Sequence, residues 1–407
     1  MTSNLYRVDY LIFFSIFSLL TLIVALFFPI LSFFLSVLGL ILFNNISSES
    51  RIIRWFFIFN AVFSLSVIYL SRDFLDELNH DLYWYYNEYL KISEGDSSSY
   101  ILFGDGFELG YHYLYAVVVK FAPSLSSIGL AFTNYIIVIF LFLFWLEIYI
   151  LREKKFKPDS GLICALSLIF IGFVTFGYLQ RQSLSFVILL YALTSKGFIK
   201  ITFFVLLSTF FHLTALPIAL FYFLIRRLHL PKRNIVVALT IMLPFLFFLR
   251  VSFYKIIGFL YASGLSFPGL HKIGFYLDSG FSILSTKDLL LNLVFLCFLV
   301  VRWDFINKDW RNIMLASFVL YFAFLGIPLL SERINFILFY LYGLFAYLIF
   351  IDNNKNTANV TVFKCFFVLY LFLFCFKNIF MVGVKGYEYW NNYPYIHYKP
   401  LYYLSEN

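Results

Sequence analysis

The sequence predicts an all-α polytopic integral membrane protein of about 11–13 transmembrane or re-entrant helices. It also predicts a long extracytoplasmic segment, and short broken helices lining a cavity on the outer face. Three observations carry this. Of 407 residues, 62% are hydrophobic and only 13% charged, where a soluble domain has roughly 45–50% and about 25%. Apolar runs long enough to cross a hydrocarbon core of about 30 Å recur from Tyr10 to Met381. The loops between these runs alternate in basic content.

Taken in order, the predicted spans are 9–27, 29–45, 52–70, 125–150, 160–178, 183–195, 200–213, 214–225, 234–250, 288–302, 311–329, 333–351 and 361–381. The start, MTSNLYRVDYLIFF, has no small-residue cleavage site and reads as an uncleaved first helix. With the N-terminus in the cytoplasm, the inner loops carry Arg51 and Arg54, Arg152 to Lys157, Lys196 and Lys200, and Arg226 to Arg233. Arg302 to Arg311 and Lys355 fall on the same side. The positive-inside rule thus accounts for the net charge of +8 without a nucleic-acid partner.

The stretch 183–225 resists simple spans. Its segments reach only about 18–21 Å at about 1.5 Å per residue. Fusing 200–225 into one helix repairs the length, but then puts RRLHLPKR (226–233) on the wrong side. Broken or re-entrant helices satisfy both constraints, with Pro217 near the break.

The chain reads as a single membrane domain, 1–407, with three parts that are not simple spans. Residues 71–124 form an extracytoplasmic segment. It mixes charge with aromatic rings, turns at EGDSSS, and re-enters through an interfacial helix at GYHYLYAVVVKF. Residues 251–287 form a second such segment, and 382–407 an extracytoplasmic tail rich in tyrosine. Its rings, like those at 83–86 and 111–115, read first as an interfacial belt and second as stacking surfaces for sugars.

On this topology a set of polar residues gathers at the outer face: Asp81, Glu88, Glu108, Arg181, Gln182, His212, Glu332 and Arg333. Ionisable side chains near membrane depth are costly and are functional candidates by default. Each has a plainer reading. Arg181 can cap an outer loop, and His212 can be a neutral imidazole bonded to a neighbouring helix. Asp81 and Glu88 lie in a wet segment where a solvated face costs little. Ser331 and Glu332 suit a helix start, which leaves Arg333 at the unfavourable end of the dipole.

Cys164, Cys297, Cys365 and Cys375 lie in apolar runs without CxxC spacing and read as buried side chains. There is no phosphate-binding GxxxxGK[ST], no HExxH and no GxSxG. No metal site and no cofactor are therefore expected.

The order of these signals resembles the EpsG-type group of bacterial polysaccharide polymerases, akin to the Wzy O-antigen polymerases. An acid-plus-aromatic stretch (Asp81, Tyr85, Tyr86, Tyr89) precedes a Glu-led re-entry (Glu108). An RQ pair (Arg181, Gln182), FHLTAL with His212, SERINF with Arg333 and the tail motif NNYPY follow. The HLTA here stands where the family has a serine-rich HxSA, so Thr214 is a departure. The resemblance implies polymerisation of undecaprenyl-pyrophosphate-linked repeat units at the outer face of the bacterial inner membrane. Arg181 and Arg333 would hold pyrophosphate, with His212 or Glu108 as base. Gln182 would orient substrate, and Asp81, Tyr86 and Glu332 would contact it. The implied partners are the lipid-linked glycan, the bilayer and a chain-length regulator in the membrane. A flippase for lipid-linked oligosaccharide, and an O-antigen ligase or lipid-linked glycosyltransferase, remain open as alternatives.

Overall fold

The computed structural model describes residues 2–70, 81–96, 107–171, 179–228, 231–234, 286–324 and 336–352, with Val237, Lys255, Phe259, Ser263 and Arg333 as single positions. The expected spans 234–250 and 361–381, nearly all of 251–287, and the tail 382–407 lie outside the described residues. Among the described residues every regular element is helical. The all-α expectation holds. The chain divides into two compact units, one of Met1–Leu213 with Tyr342–Leu344 and Lys355–Asn407, the other of Thr214–Leu341 with Phe345–Asn354.

In the first unit, α1 (Thr2–Phe27) meets α2 (Pro29–Leu42) at Phe28. Pro29 opens α2, the position where its missing N–H costs nothing. A short α3 (Asn44–Glu49) then leads into α4 (Arg51–Leu70). These helices close on a phenylalanine cluster, with Phe14 edge-on to Phe43 at 5.1 Å and Phe43 stacked on Phe57 at 6.0 Å. Gly39 is needed there, because a Cβ would sit 2.5 Å from the Phe57 ring. The same interface buries a polar seam, in which Asn60 Nδ2 donates to Ser32 Oγ at 3.0 Å and Ser36 Oγ at 2.8 Å. Buried polar groups cut off from water must satisfy one another.

Helices α5 (Asp81–Ser93) and α6 (Gly110–Phe121) occupy the expected extracytoplasmic segment. The helix predicted at GYHYLYAVVVKF is therefore present. Next, α7 (Ser127–Trp145) starts where Ser126 Oγ accepts from Gly129 N at 3.1 Å and ends in a π turn, Leu146–Ile150. After it comes α8 (Ser160–Phe170), buried along its whole length.

The troublesome stretch resolves into separate short helices. They are α9 (Gln180–Thr194), α10 (Phe198–Phe211) and, in the second unit, α11 (Ala215–Arg227). A continuous helix over 200–225 is excluded, because His212 adopts extended backbone (φ −156°, ψ 121°). Pro217 lies near the break, as expected. It lies in the first turn of α11, where proline is tolerated. Between α9 and α10 the chain turns at Gly197, whose φ of +99° favours glycine. The two helices are then clasped by Ser185 Oγ donating to Ser208 O (2.8 Å) and Ser208 Oγ to Ser185 O (2.7 Å).

Within the second unit, α12 (Thr286–Val301), α13 (Lys308–Ala323), α14 (Ile337–Ala346) and a π turn, Tyr347–Ile351, follow α11. Asn312 Nδ2 donates to the carbonyls of Ile225, Arg226 and Leu228 at 3.0–3.2 Å, which satisfies the end of α11. Buried Tyr222 and Ser317 join their hydroxyls at 2.7 Å.

Among the described residues one helix, Ser127–Ile150, is by itself long and apolar enough to cross a membrane. Shorter apolar helices are Ile12–Phe27, Pro29–Leu42, Phe198–Phe211, Leu289–Val301 and Ile337–Ile351. Apolar faces are uncovered on α1, at Ile12, Ile16, Leu19 and Ile23, and on α11, at Leu216, Leu220 and Leu224.

Candidate active site

The seam between α5 and α6 starts the site. On α5 the buried positions are Leu82, Tyr85, Glu88 and Tyr89, one face of a helix. Across from them, α6 presents Tyr111, His112 and Tyr115. Tyr85 stacks on Tyr111 at 5.4 Å, and Tyr89 meets Tyr115 edge-on at 6.2 Å. Between these ring pairs, Glu88 Oε1 faces His112 Nδ1 at 3.4 Å. The loop after α6 is pinned to the same helix: Leu125 N donates to Tyr89 Oη at 3.0 Å, and Tyr86 Oη donates to Leu125 O at 3.4 Å.

Glu108 lies just before α6, where an acid suits the helix dipole. It is 6% exposed and gathers three partners. Oε2 accepts from Arg181 Nη1. Oε1 accepts from Leu213 N at 3.1 Å and lies 3.5 Å from His212 Nδ1. The break after α10 aims both a backbone N–H and an imidazole at one carboxylate. Gly110 allows this approach, because a Cβ there would fall 2.6 Å from the Phe211 ring and 2.9 Å from its Cα.

Arg181 stands in the first turn of α9, at the end of the dipole that disfavours a cation. Glu108 compensates, and Tyr85 accepts from Arg181 Nε at 3.3 Å while its ring lies 5.8 Å from the guanidinium carbon. Arg181 keeps 23% side-chain exposure and His212 22%. A fixed guanidinium fork beside a partly open imidazole suits a phosphate group whose neighbour must exchange a proton.

Glu88 is the correction. A solvated face was expected for it, yet its exposure is 0%. Among the described residues neither carboxylate oxygen has a hydrogen bond. Burial raises its pKa to about 8, against the pull of the Arg181 and Lys91 charges. His112 drew no attention in the sequence, because it reads there as one more ring in a tyrosine-rich helix. Two further buried groups were also missed. Asn134 Nδ2 donates to Tyr115 Oη at 2.8 Å and to Gln180 Oε1 at 2.6 Å. An Asn inside the apolar run FTNYIIVIF was the available signal.

Of the other expected site residues, Gln182 is buried at 4% exposure in the first turn of α9. Tyr86 spends its hydroxyl on Leu125 O. Asp81 opens α5, but its side chain lies outside the described residues, as does Glu332. Arg333 is a half-buried helical position of the second unit. No group of three or more His, Cys, Asp or Glu able to hold a metal occurs among the described residues.

A second charged cluster belongs to the same unit. Arg54, 3% exposed, donates from Nη2 to both oxygens of Glu147 (2.7 and 2.8 Å) and from Nε to Oε2 (3.2 Å). Its Nη1 reaches Ser47 O and Ser160 Oγ, and Arg51 adds a contact to Glu147 at 3.0 Å. The sequence had counted Arg54 among the charges of the inner side. The structure buries it, because the π turn of α7 brings a carboxylate to meet it.

Neither a curated relative nor a solved structure matches the chain. The family model described as the EpsG family matches residues 55–398, a region that includes α5, α6, α9 and α10 with Glu108, Arg181 and His212. The chain belongs to the EpsG family, a Wzy-like family of membrane-associated polysaccharide polymerases.

Proposed function

We propose that this chain is a multi-pass enzyme of the bacterial inner membrane that polymerises undecaprenyl-pyrophosphate-linked repeat units at the extracytoplasmic face. The product is O-antigen, capsule or exopolysaccharide. The observation that carries the reading is the meeting of Arg181, from the first turn of α9, and His212, from the break after α10, on the Glu108 carboxylate just before α6. In the reaction, an acceptor hydroxyl oxygen bonds to the anomeric carbon of the growing chain. The bond from that carbon to pyrophosphate breaks, and its electron pair leaves with undecaprenyl pyrophosphate. The hydroxyl proton passes to a base.

The largest barrier term in such a transfer is the charge developing on the pyrophosphate. Arg181 meets that charge, and Glu108 holds Arg181 in place. Arg333 takes a second phosphate-binding role, Gln182 orients the sugar, and Asp81, Tyr86 and Glu332 contact the glycan. The uncovered apolar faces on α1 and α11 fit acyl chains, and the short helices α9 and α10 fit a cavity wall rather than full crossings.

The test is a polysaccharide ladder. Arg181→Lys, accumulating normally in the membrane, should reduce long chains to single repeat units. Undiminished long chains would remove Arg181 from the mechanism. Deletion of the chain separates the flippase: loss of a polymerase leaves single units on the surface, and loss of a flippase leaves none.

A further inference from the structure

We propose that the cavity above the Arg54–Glu147 pair binds the phosphate of an anionic glycerophospholipid, whose acyl chains lie along α4 and α7. This rests on the membrane reading above and not on the polymerase chemistry. The cavity, of about 540 Å³, lies between the end of α3, the start of α4, the π turn after α7 and the start of α8. Its lining carries four cations, Arg51, Arg54, Arg152 and Lys157, against two carboxylates, Glu49 and Glu147.

The charges do not cancel in place. Arg54 is spent on Glu147, Ser47 and Ser160, so the floor of the cavity is fixed and neutral. Arg51 reaches Glu147 through Nε alone and keeps 61% side-chain exposure. Arg152 and Lys157 are exposed, and among the described residues neither side chain makes an ion pair or a hydrogen bond. Glu49 is the one lining carboxylate outside the clamp. Cations that merely marked one side of the membrane would be solvated singly; these surround a void. Arg152 also lines a neighbouring cavity with Lys196 and Lys200, opposed there by Glu153, so the positive field extends past the first.

The surface beside the cavity selects the ligand. On α4, Arg51 and Ile52 are followed at helical spacing by Trp55 and Phe59. On α7 and its π turn, Phe140 and Phe144 lead to Ile148 and then Arg152. The two stripes join: Trp55 stacks on Phe140 at 6.4 Å and meets Phe144 at 5.6 Å, and Phe59 meets Phe140 at 5.3 Å. Ile52, Phe59, Phe144 and Ile148 are exposed. One apolar strip therefore ends in an arginine on each of its two helices. A free phosphate or an acidic peptide would use the cations and leave the strip bare. A phospholipid uses both, since its phosphodiester accepts from guanidinium forks while its chains cover the rings.

The experiment uses the full chain, purified in neutral detergent and reconstituted in phosphatidylcholine vesicles. Tryptophan fluorescence is followed as phosphatidylglycerol with brominated chains replaces part of the lipid, with equally brominated phosphatidylcholine as the reference. We expect half-maximal quenching by the anionic lipid at a mole fraction about tenfold or more below that of the reference. Trp55→Phe should remove this component. Arg152→Gln with Lys157→Gln, both exposed and outside the clamp, should raise the fraction needed about tenfold. Lys120→Gln, in the last turn of α6, should leave it unchanged. Glycerol 3-phosphate, the headgroup without chains, should not displace the lipid.

Equal quenching by the two lipids would mean ordinary boundary lipid and would overturn the site. So would a preference that survives the double variant or Trp55→Phe, one lost equally in Lys120→Gln, or displacement by glycerol 3-phosphate. The polymer ladder is a separate measurement, so the polymerase reading can fail while this site stands. A chain that does not enter vesicles removes the membrane reading and this site together.

Discussion

Two arginine–glutamate pairs sit in one unit and do different work. Arg54 and Glu147 meet two-pronged, both are nearly inaccessible, and Ser47 and Ser160 occupy the rest of the guanidinium. Arg181 and Glu108 meet through one nitrogen, and around them stand a half-open imidazole, a tyrosine hydroxyl and a second, protonatable carboxyl. The former is a clamp; the latter is equipped to exchange charge with a visitor. Helix α7 separates them. Near its start Asn134 holds Gln180, and near its end Trp145 Nε1 donates to Thr194 Oγ1 at 3.0 Å, so α7 and α9 run parallel. Glu147 lies 13 residues past Asn134, about 20 Å along a helix at about 1.5 Å per residue. The two pairs therefore lie toward opposite ends of α7 and its π turn.

Substitutions can break this contrast. The largest effect should come from Arg181→Lys, which keeps the charge but loses the fork: polymer output per molecule should fall about 10²–10³-fold while membrane levels hold. If Arg54→Lys lowers output per molecule equally, the division between clamp and site is wrong. Arg54→Met should act on stability instead, by about 3–5 kcal/mol, because it strands Glu147. Chemical denaturation in detergent would measure that, and Arg54→Met with Glu147→Leu should recover most of it. Arg51 at 3.0 Å from Glu147 softens the single change.

A smaller effect is expected from Gly110→Ala. Its methyl would press on the Phe211 ring and backbone, shifting the His212 turn away from Glu108. Output should drop about tenfold with a loss of about 1–3 kcal/mol in stability, typical of overpacking.

The smallest effect is a slope. Glu88 binds its proton more tightly folded than unfolded, with a pKa near 8 against an ordinary 4.5. Its stabilising contribution is therefore complete below about 4.5 and is lost as pH rises to about 8. Melting temperature should decline across that window, and Glu88→Gln should flatten the decline. An unchanged slope in that variant would mean Glu88 is not the buried titrating group.

Local chemistry was legible in the sequence, and partners were not. The broken helices at 183–225 followed from two facts in conflict, spans too short to cross and a basic loop on the wrong side. The turn at His212 resolves that conflict. Pro217 lies near the break as expected, in the first turn of α11. Glu108, Arg181 and His212 stood out because charge at membrane depth needs a reason. Glu88 was among the candidates, but its burial was not legible, because the tyrosines that cover it come partly from α6. The partner of Arg54 was not legible either, as its carboxylate lies 93 residues away.

Composition, run length and loop charge are properties each residue carries alone or with near neighbours. They were enough to set the helical class, because helix hydrogen bonds and apolar burial depend on local pattern. Which carboxylate is neutralised by a guanidinium, and which is left to an imidazole, depends on distances of a few ångströms between distant segments. Only the packing of α5, α6, α9 and α10 decides that, since Coulomb attraction and desolvation in a dry seam act between groups the chain has first to bring together.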